Sequence, residues 1–228
     1  EYDRFQASLQ AKLLIDDKSY LSIFATVIDV KGFIPSSLDS STFVDNPSAA
    51  AFTWARTAGN EDYTRGLLGI TYSSELGKNW KLRSSLPISY RANDELRPFN
   101  FLRETNLSVG NRTVLEGKVP LGIRSLELYI GEEIFQEFYA WQTYQNINGQ
   151  GEIGEQLSDN RERRSYVNAF FQAQLRLNQD WDISFGTNFN QTWYRYEDFF
   201  FGDSVDLSGN YAFNGVLSPR LAIHYKWN

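Results

Sequence analysis

The chain has 228 residues, of which 42% are hydrophobic and 16% aromatic, with a formal net charge of −6. That mixture can bury apolar surface and excludes wholesale disorder, while the acidic balance and the lack of a basic patch exclude a nucleic-acid binder. Cys is absent and there is one His, so disulfides, thiolate sites, His-rich metal sites and His-based triads are excluded, and no run of about 18 apolar residues predicts a transmembrane helix.

Alternation of apolar and polar residues, the signature of a half-buried strand, begins at once. Phe5, Ala7, Leu9, Ala11, Leu13 and Ile15 alternate with Arg4, Gln6, Ser8, Gln10 and Lys12. Asp16-Asp17-Lys18 is a tight turn, and a second strand is expected over Tyr20–Val30. Lys31 to Glu61 is read as a long loop carrying Phe43, Phe52, Trp54 and Arg56, followed by Tyr63; so many aromatics point to a loop folded on itself or shaped around a ligand. A strand over Tyr63–Ser73 and a short turn from Ser74 to Asn79 lead to Trp80, Leu82, Leu86, Ile88 and Tyr90. These alternate with Lys81, Arg83, Ser85, Ser89 and Arg91.

Ala92 to Glu104 is expected to be a longer loop, Thr105–Leu115 a strand, Glu116 to Ile123 a short turn and Ser125–Tyr144 a long strand. Gln145 to Arg163 reads as a second long loop. Val167, Ala169, Phe171, Ala173, Leu175 and Leu177 then alternate with Asn168, Phe170, Gln172, Gln174 and Arg176. Asn178-Gln179-Asp180 is tight, and Trp181, Ile183, Phe185, Phe189 and Trp193 form the next apolar stripe. Glu197 to Asn214 is a long loop, and Leu217, Leu221, Ile223, Tyr225 and Trp227 close the series. No segment shows a helical period. About nine strands result, most longer than the usual 5 to 6 residues and long enough to cross a bilayer at a tilt.

Short and long connections alternate along this reading, as they do in up-and-down barrels of outer membranes, with short periplasmic turns and long extracellular loops. Trp80, Trp181 and Trp227 lie beside short turns on the apolar parity; Tyr90 and Trp193 lie at the far ends on the same parity. The ten steps from Trp80 to Tyr90 cover ~33 Å of strand. At a tilt near 40° that becomes ~25 Å, the height of the apolar band between two aromatic girdles. The fold class expected is therefore all-β, an antiparallel up-and-down transmembrane β-barrel or a segment of one, with the apolar face toward lipid.

Chemistry-bearing residues are sparse. Arg91, Arg164 and Tyr166 fall on the polar parity near the long-loop side, with Tyr139 and Trp141 at the same rim. They are ordinary lumen residues of a barrel wall or the mouth of a pathway for an anionic ligand. Together with Trp54, Arg56 and Tyr63 they make the candidate ligand-binding set: Trp54, Arg56, Tyr63, Arg91, Trp141, Arg164 and Tyr166. Glu132, Glu133 and Glu137 have no second acidic cluster placed opposite them by sequence, there is no Gly-x-Ser-x-Gly elbow, and His224 reads as a lumen or interface side chain. No catalytic residue, metal ligand or cofactor site is assigned.

The stretches Arg164–Gln172, Leu175–Asn178 and Trp181–Gly186 resemble barrel strands of TonB-dependent outer-membrane receptors. Leu217-Ser218-Pro219-Arg220-Leu221-Ala222-Ile223-His224-Tyr225-Lys226 is similar to that family's recurrent SPRL strand. Asp29–Leu38, Ala51–Trp54 and Arg97–Asn100 look like the iron-complex receptor branch found in Bacteroidetes-type bacteria. The resemblance implies a barrel of about 22 strands closed by a plug domain. It also implies residence in the bacterial outer membrane, contact with outer-membrane lipid, coupling to TonB through the plug region, and import of an iron–siderophore or other large complex. Neither plug nor TonB box is read in residues 1–228, so the chain is expected to be a barrel segment that closes on itself, associates with another copy or belongs to something larger. A soluble or surface β-barrel or sandwich binding module is the rival reading; it would turn the same apolar face inward.

Overall fold

The computed structural model describes residues 2–122 and 124–227. A single antiparallel sheet carries almost the whole chain: β1 (Tyr2–Leu14), β2 (Ser19–Phe33), β3 (Asn60–Leu76), β4 (Trp80–Leu96), β5 (Asn100–Leu121), β6 (Arg124–Ile147), β7 (Glu152–Arg176), β8 (Trp181–Asp198), β9 (Gly209–Ala212) and β10 (Val216–Tyr225). The order is β1-β2-β3-β4-β5-β6-β7-β8-β10, with the four-residue β9 on the upper part of β8. Each long strand pairs with its sequence neighbour, so the topology is up-and-down. The sheet is open, with β1 and β10 at its edges.

The strands outrun the alternation that predicts them. The segments expected to be loops at Ala92–Glu104 and Gln145–Arg163 are mostly strand. β4 and β5 turn tightly at residues 97–99, and β6 and β7 turn at residues 148–151, where Asn148, Gly149 and Gly151 take positive φ. Backbone pairing continues there, but polar and charged side chains occupy both parities, so the apolar period that marks a strand disappears while the ladder does not. The side chain of Asn146 ties the two turns together: it donates to the Arg97 carbonyl at 2.7 Å and accepts from the Gly151 amide at 2.8 Å. The 34–59 connection also holds two six-residue helices, α1 (Ser40–Asp45) and α2 (Phe52–Thr57), too short to show a period in sequence. Asp39 caps α1 by accepting from the Thr42 amide at 2.8 Å.

The two faces are sorted throughout. Directly paired residues share a face, so the ladder carries one parity across the sheet. The row Ile70, Leu86, Asn111, Ile134, Val167 and Gln191 lies on the same face as Leu9, Ile23, Phe185 and Leu221. No second layer covers that face: Phe5, Leu9, Phe185, Phe189, Leu221 and Ile223 are all exposed, and the buried hydrophobic residues are Phe101 and Leu102 alone among the described residues. The accessible surface is 15174 Å², against about 10,600 Å² for a globular monomer of this mass. A sandwich requires its apolar faces to meet; this sheet presents one apolar face outward and one polar face inward.

The register also fixes the tilt. Starting at Trp80 in β4, the paired row runs through Gly117, Leu128 and Ala173 to Phe185 in β8. The girdle residue of β8, Trp181, lies four positions below that row. The aromatic border therefore slips by one residue for each strand crossed. A slip of ~3.3 Å per ~4.8 Å of strand spacing is a tilt of about 35°, which matches the 35–45° of transmembrane barrels.

Candidate functional site

The polar face rises into a wall of arginines, carboxylates and aromatic rings at the end of the sheet where the 34–59 and 199–215 connections lie. Its placement follows from the same parity that sorts the apolar belt: Glu61 and Tyr63 on β3, Arg91 and Asn93 on β4, Glu104 and Asn106 on β5, Glu137, Tyr139 and Trp141 on β6, and Glu162, Arg164 and Tyr166 on β7.

Arg91 is held between two carboxylates. It bonds Glu61 on one neighbouring strand and lies 3.2 Å from Glu104 on the other. Its guanidinium also stands 5.1 Å from the Tyr63 ring centroid. Glu104 is further satisfied by the Tyr139 hydroxyl, which donates at 2.6 Å, and by the Asn93 amide at 3.3 Å. Tyr139 stacks on Trp141 with centroids 4.9 Å apart, and Trp141 meets Tyr196 at 5.8 Å. The aromatic rim of β6 and β8 is thus continuous with the Arg91 cluster.

A second unit adjoins it. Arg164 lies 3.2 Å from Glu137 and 3.0 Å from Glu162, with its guanidinium 4.9 Å from the Tyr194 ring. Asn106 donates to Glu137 at 2.8 Å and links the two units. Between them lies an open cleft of about 380 Å³ lined by Arg65, Ser89, Arg91, Glu104, Glu137 and Tyr139, among others. Tyr166 sits one layer deeper: it donates to Glu133 at 2.6 Å and stacks on Phe135 at 5.1 Å, while Arg112 pairs with Glu133 at 3.1 Å.

Five of the seven sequence-predicted residues therefore share this wall: Tyr63, Arg91, Trp141, Arg164 and Tyr166. Trp54 and Arg56 do not join it. Both belong to α2, where Arg56 donates to the Asn148 carbonyl at 3.3 Å and Thr57 donates to the Gly149 carbonyl at 2.8 Å, so the helix is fastened to the β6–β7 turn. Trp54 packs over Gly59, leaving no room for a Cβ there. What sequence reasoning missed is the set of carboxylates Glu61, Glu104, Glu137 and Glu162. The signal was present, since each lies on the inward parity of its strand.

Chemically the wall offers paired charges beside aromatic rings. Arg91, Arg112 and Arg164 each have one or two carboxylate partners, Arg65 has none among the described residues, and the formal balance over Glu61, Glu104, Glu133, Glu137, Glu162, Arg65, Arg91, Arg112 and Arg164 is 4 − 5 = −1. A small anion gains little on such a wall. A large ligand that carries its own donors, acceptors and flat apolar parts can exchange hydrogen bonds with the cage and lie against Tyr139 and Trp141. Glu133 and Glu137 are engaged in ion pairs, Glu132 faces outward, and His224 lies 3.9 Å from Asp182 on the inward face.

Comparison with known proteins agrees with this fold. The profile of the family described as TonB dependent receptor-like, beta-barrel, matches residues 9–228. The ferric citrate transporter FecA, in its unliganded form, superposes with a TM-score of 0.87 at 12% identity, over 100% of this chain and 34% of that one. The alcaligin receptor FauA from Bordetella pertussis gives 0.73 at 11% identity, over 100% and 33%, and the siderophore receptor PiuA from Acinetobacter baumannii 0.76 at 9% identity, over 99% and 40%. The chain thus spans about a third of the length of these structures. No curated protein matches it in sequence.

Proposed function

Because the chain belongs to the TonB-dependent receptor-like β-barrel family, we propose that it supplies wall strands and outer loops of an outer-membrane receptor that imports an iron–siderophore or similarly large complex. The family and the solved neighbours are transport receptors, not enzymes. The observation that carries the reading for this chain is the inward wall itself. Arg91 and Arg164 are caged by Glu61, Glu104, Glu137 and Glu162 beside the Tyr139–Trp141 stack, at the end of the sheet bearing the loops.

In this reading the bacterial outer membrane holds the apolar belt, and the ligand arrives at the loop side. Tyr63, Arg91, Trp141, Arg164 and Tyr166 contact it, with Trp54 and Arg56 shaping the loop above. Entry depends on TonB acting through a plug region of the full-length receptor. The iron-complex branch suggested by residues 29–38 and 97–100 belongs to the same proposal.

Uptake of a panel of radiolabelled iron complexes by cells with and without the full-length gene tests it. Loss of uptake of one complex, restored by the intact gene and not by an Arg91→Gln, Arg164→Gln version, is the expected result. Unchanged uptake of every complex contradicts it.

A further inference from the structure

Among the described residues, outward-facing charge lies mainly at the loop end of the sheet; the exceptions are Glu132 in the belt and Arg124 at the turn end. Above the apolar belt most of these charges neutralise one another: Lys31 lies 3.5 Å from Asp62, and Arg103 3.0 Å from Asp94. On β7 and β8 they do not. Arg163 and Arg195 are directly opposite one another in the ladder, and Arg161 is the next outward residue of β7. Like charges at directly paired positions destabilise a sheet. Arg195 has a partner in Glu197 at 2.7 Å, but among the described residues neither Arg161 nor Arg163 forms an ion pair. Both are instead laid over aromatic rings, Arg161 at 4.4 Å from the Phe199 centroid and Arg163 at 5.7 Å from that of Phe138, which leaves their N–H groups free. The outward acids nearby are Glu197, directly opposite Arg161 in the ladder, and Asp159, which accepts from Gln142 at 2.9 Å, so three arginines stand against two carboxylates. In a chain of net charge −6, this is a local positive excess.

The height of the patch says what it meets. Arg195 is two residues beyond the girdle residue Trp193, which places it ~5 Å above the aromatic border, in the headgroup layer. An open cleft of about 420 Å³ there is lined by Arg163, Arg195 and Asn210 together with Gln136, Ser165 and Trp193. Directly beneath lie the exposed rings of Trp193 and Phe189 on β8, with Phe138 on β6. Arginine offers a planar fork that bonds phosphate oxygens two at a time. Guanidinium groups above and bare aromatic surface below fit a molecule with a phosphate head and an acyl tail.

We propose that Arg161, Arg163 and Arg195 bind the phosphate of an anionic outer-leaflet lipid, whose chains run down over Phe138, Trp193 and Phe189. The anion removes the repulsion between Arg163 and Arg195 and fastens β7 to β8 at the membrane border. The proposal rests on the outward face meeting lipid, and its test reads lipid affinity rather than import, so it and the transport reading fail separately.

The full-length chain in detergent is titrated with diphosphoryl lipid A. Affinity should fall about tenfold or more in an Arg163→Gln, Arg195→Gln variant, and an Arg163→Lys, Arg195→Lys variant should recover part of it. Dephosphorylated lipid A should bind wild type and the Gln variant alike, and inorganic phosphate at the same concentration should displace nothing. Unchanged migration of the unheated variants on a gel establishes that the barrel is intact, and the Lys variant keeps the test open if the Gln variant does not fold. Equal affinity of wild type and variants for diphosphoryl lipid A overturns the proposal, as does displacement by inorganic phosphate, which would make this a small-anion site.

Discussion

The indole ring of Trp80 lies flat over Gly117, its direct cross-strand partner, so closely that a Cβ at position 117 would overlap the ring. Trp80 begins β4 at the lower aromatic border, and the glycine opposite gives it a place to lie along the sheet. Gly117→Val should push the indole off the strand and cost roughly 1–3 kcal/mol, the usual cost of overpacking. The urea unfolding midpoint of the full-length chain in lipid vesicles measures it. A Gly117→Val, Trp80→Ala double variant should lose less than the sum of the two single changes, because the clash is gone.

Arg91 holds Glu61 and Glu104 apart on the strands either side of it. Arg91→Gln leaves two carboxylates facing each other across the cleft. We expect a rise of about tenfold in the KM for ligand uptake, with Glu104→Gln in the same chain restoring part of the loss. Uptake kinetics in cells expressing the four versions measure the coupling. Strict additivity of the two changes would show that the pair does not act as a unit.

The strand pattern was legible in the sequence because lipid on one side and water on the other impose a period of two, and the girdle residues Trp80, Tyr90, Trp181 and Trp193 marked its limits. Beyond those limits the information fades for a physical reason. Residues 92–96, 100–104 and 152–163 carry polar and charged side chains on both parities, so no apolar residue recurs at every second position although the ladder continues. The polar wall was half legible for the same reason: Arg91 and Arg164 stood out as charges on the inward parity, whereas Glu104 and Glu162 sat in segments read as loops. Trp54 and Arg56 were grouped with the wall through their residue types. Only the contacts of α2 with the Asn148 and Gly149 carbonyls separate them from it.

Glu132 is the one Asp, Glu, Lys or Arg among the described residues on the outward parity between the two aromatic borders, beside Thr113 of β5 and Ala169 of β7. Its Oε2 has no hydrogen-bond partner among the described residues, while Ser84, Asn111 and Thr113 nearby satisfy one another. An acidic group in the middle of a lipid-facing belt is costly, so Glu132→Leu should stabilise the full-length chain by about 1–2 kcal/mol. Unfolding in vesicles checks the sign. A loss of stability would mean that something outside this chain engages the carboxylate.

The Asp39 carboxyl is held below the usual carboxylate range, first by the Thr42 backbone amide and then by the Ser41 hydroxyl. A depressed folded value means that the cap contributes fully above the unfolded value near ~4 and is lost as the pH falls through the folded one. Lowering the pH below about 4 should therefore loosen α1. A spin label at Ser48 reads it: mobility should rise between pH 7 and pH 3, and an Asp39→Ala chain should show the higher mobility already at pH 7. Mobility that ignores both changes would exclude Asp39 as the cap that orders this segment.

The orientation of the two faces is tested most directly on β8. Spin labels placed singly from Ile183 to Gln191 in the full-length chain in vesicles report collision with oxygen, which concentrates in lipid, and with a water-soluble nickel chelate. Oxygen accessibility should peak at 183, 185, 187, 189 and 191, and the nickel chelate should peak at 184, 186, 188 and 190. The opposite phase, or no alternation at all, would contradict the account of Phe185 and Phe189 as a lipid-facing stripe and of Ser184 and Asn188 as its watered reverse.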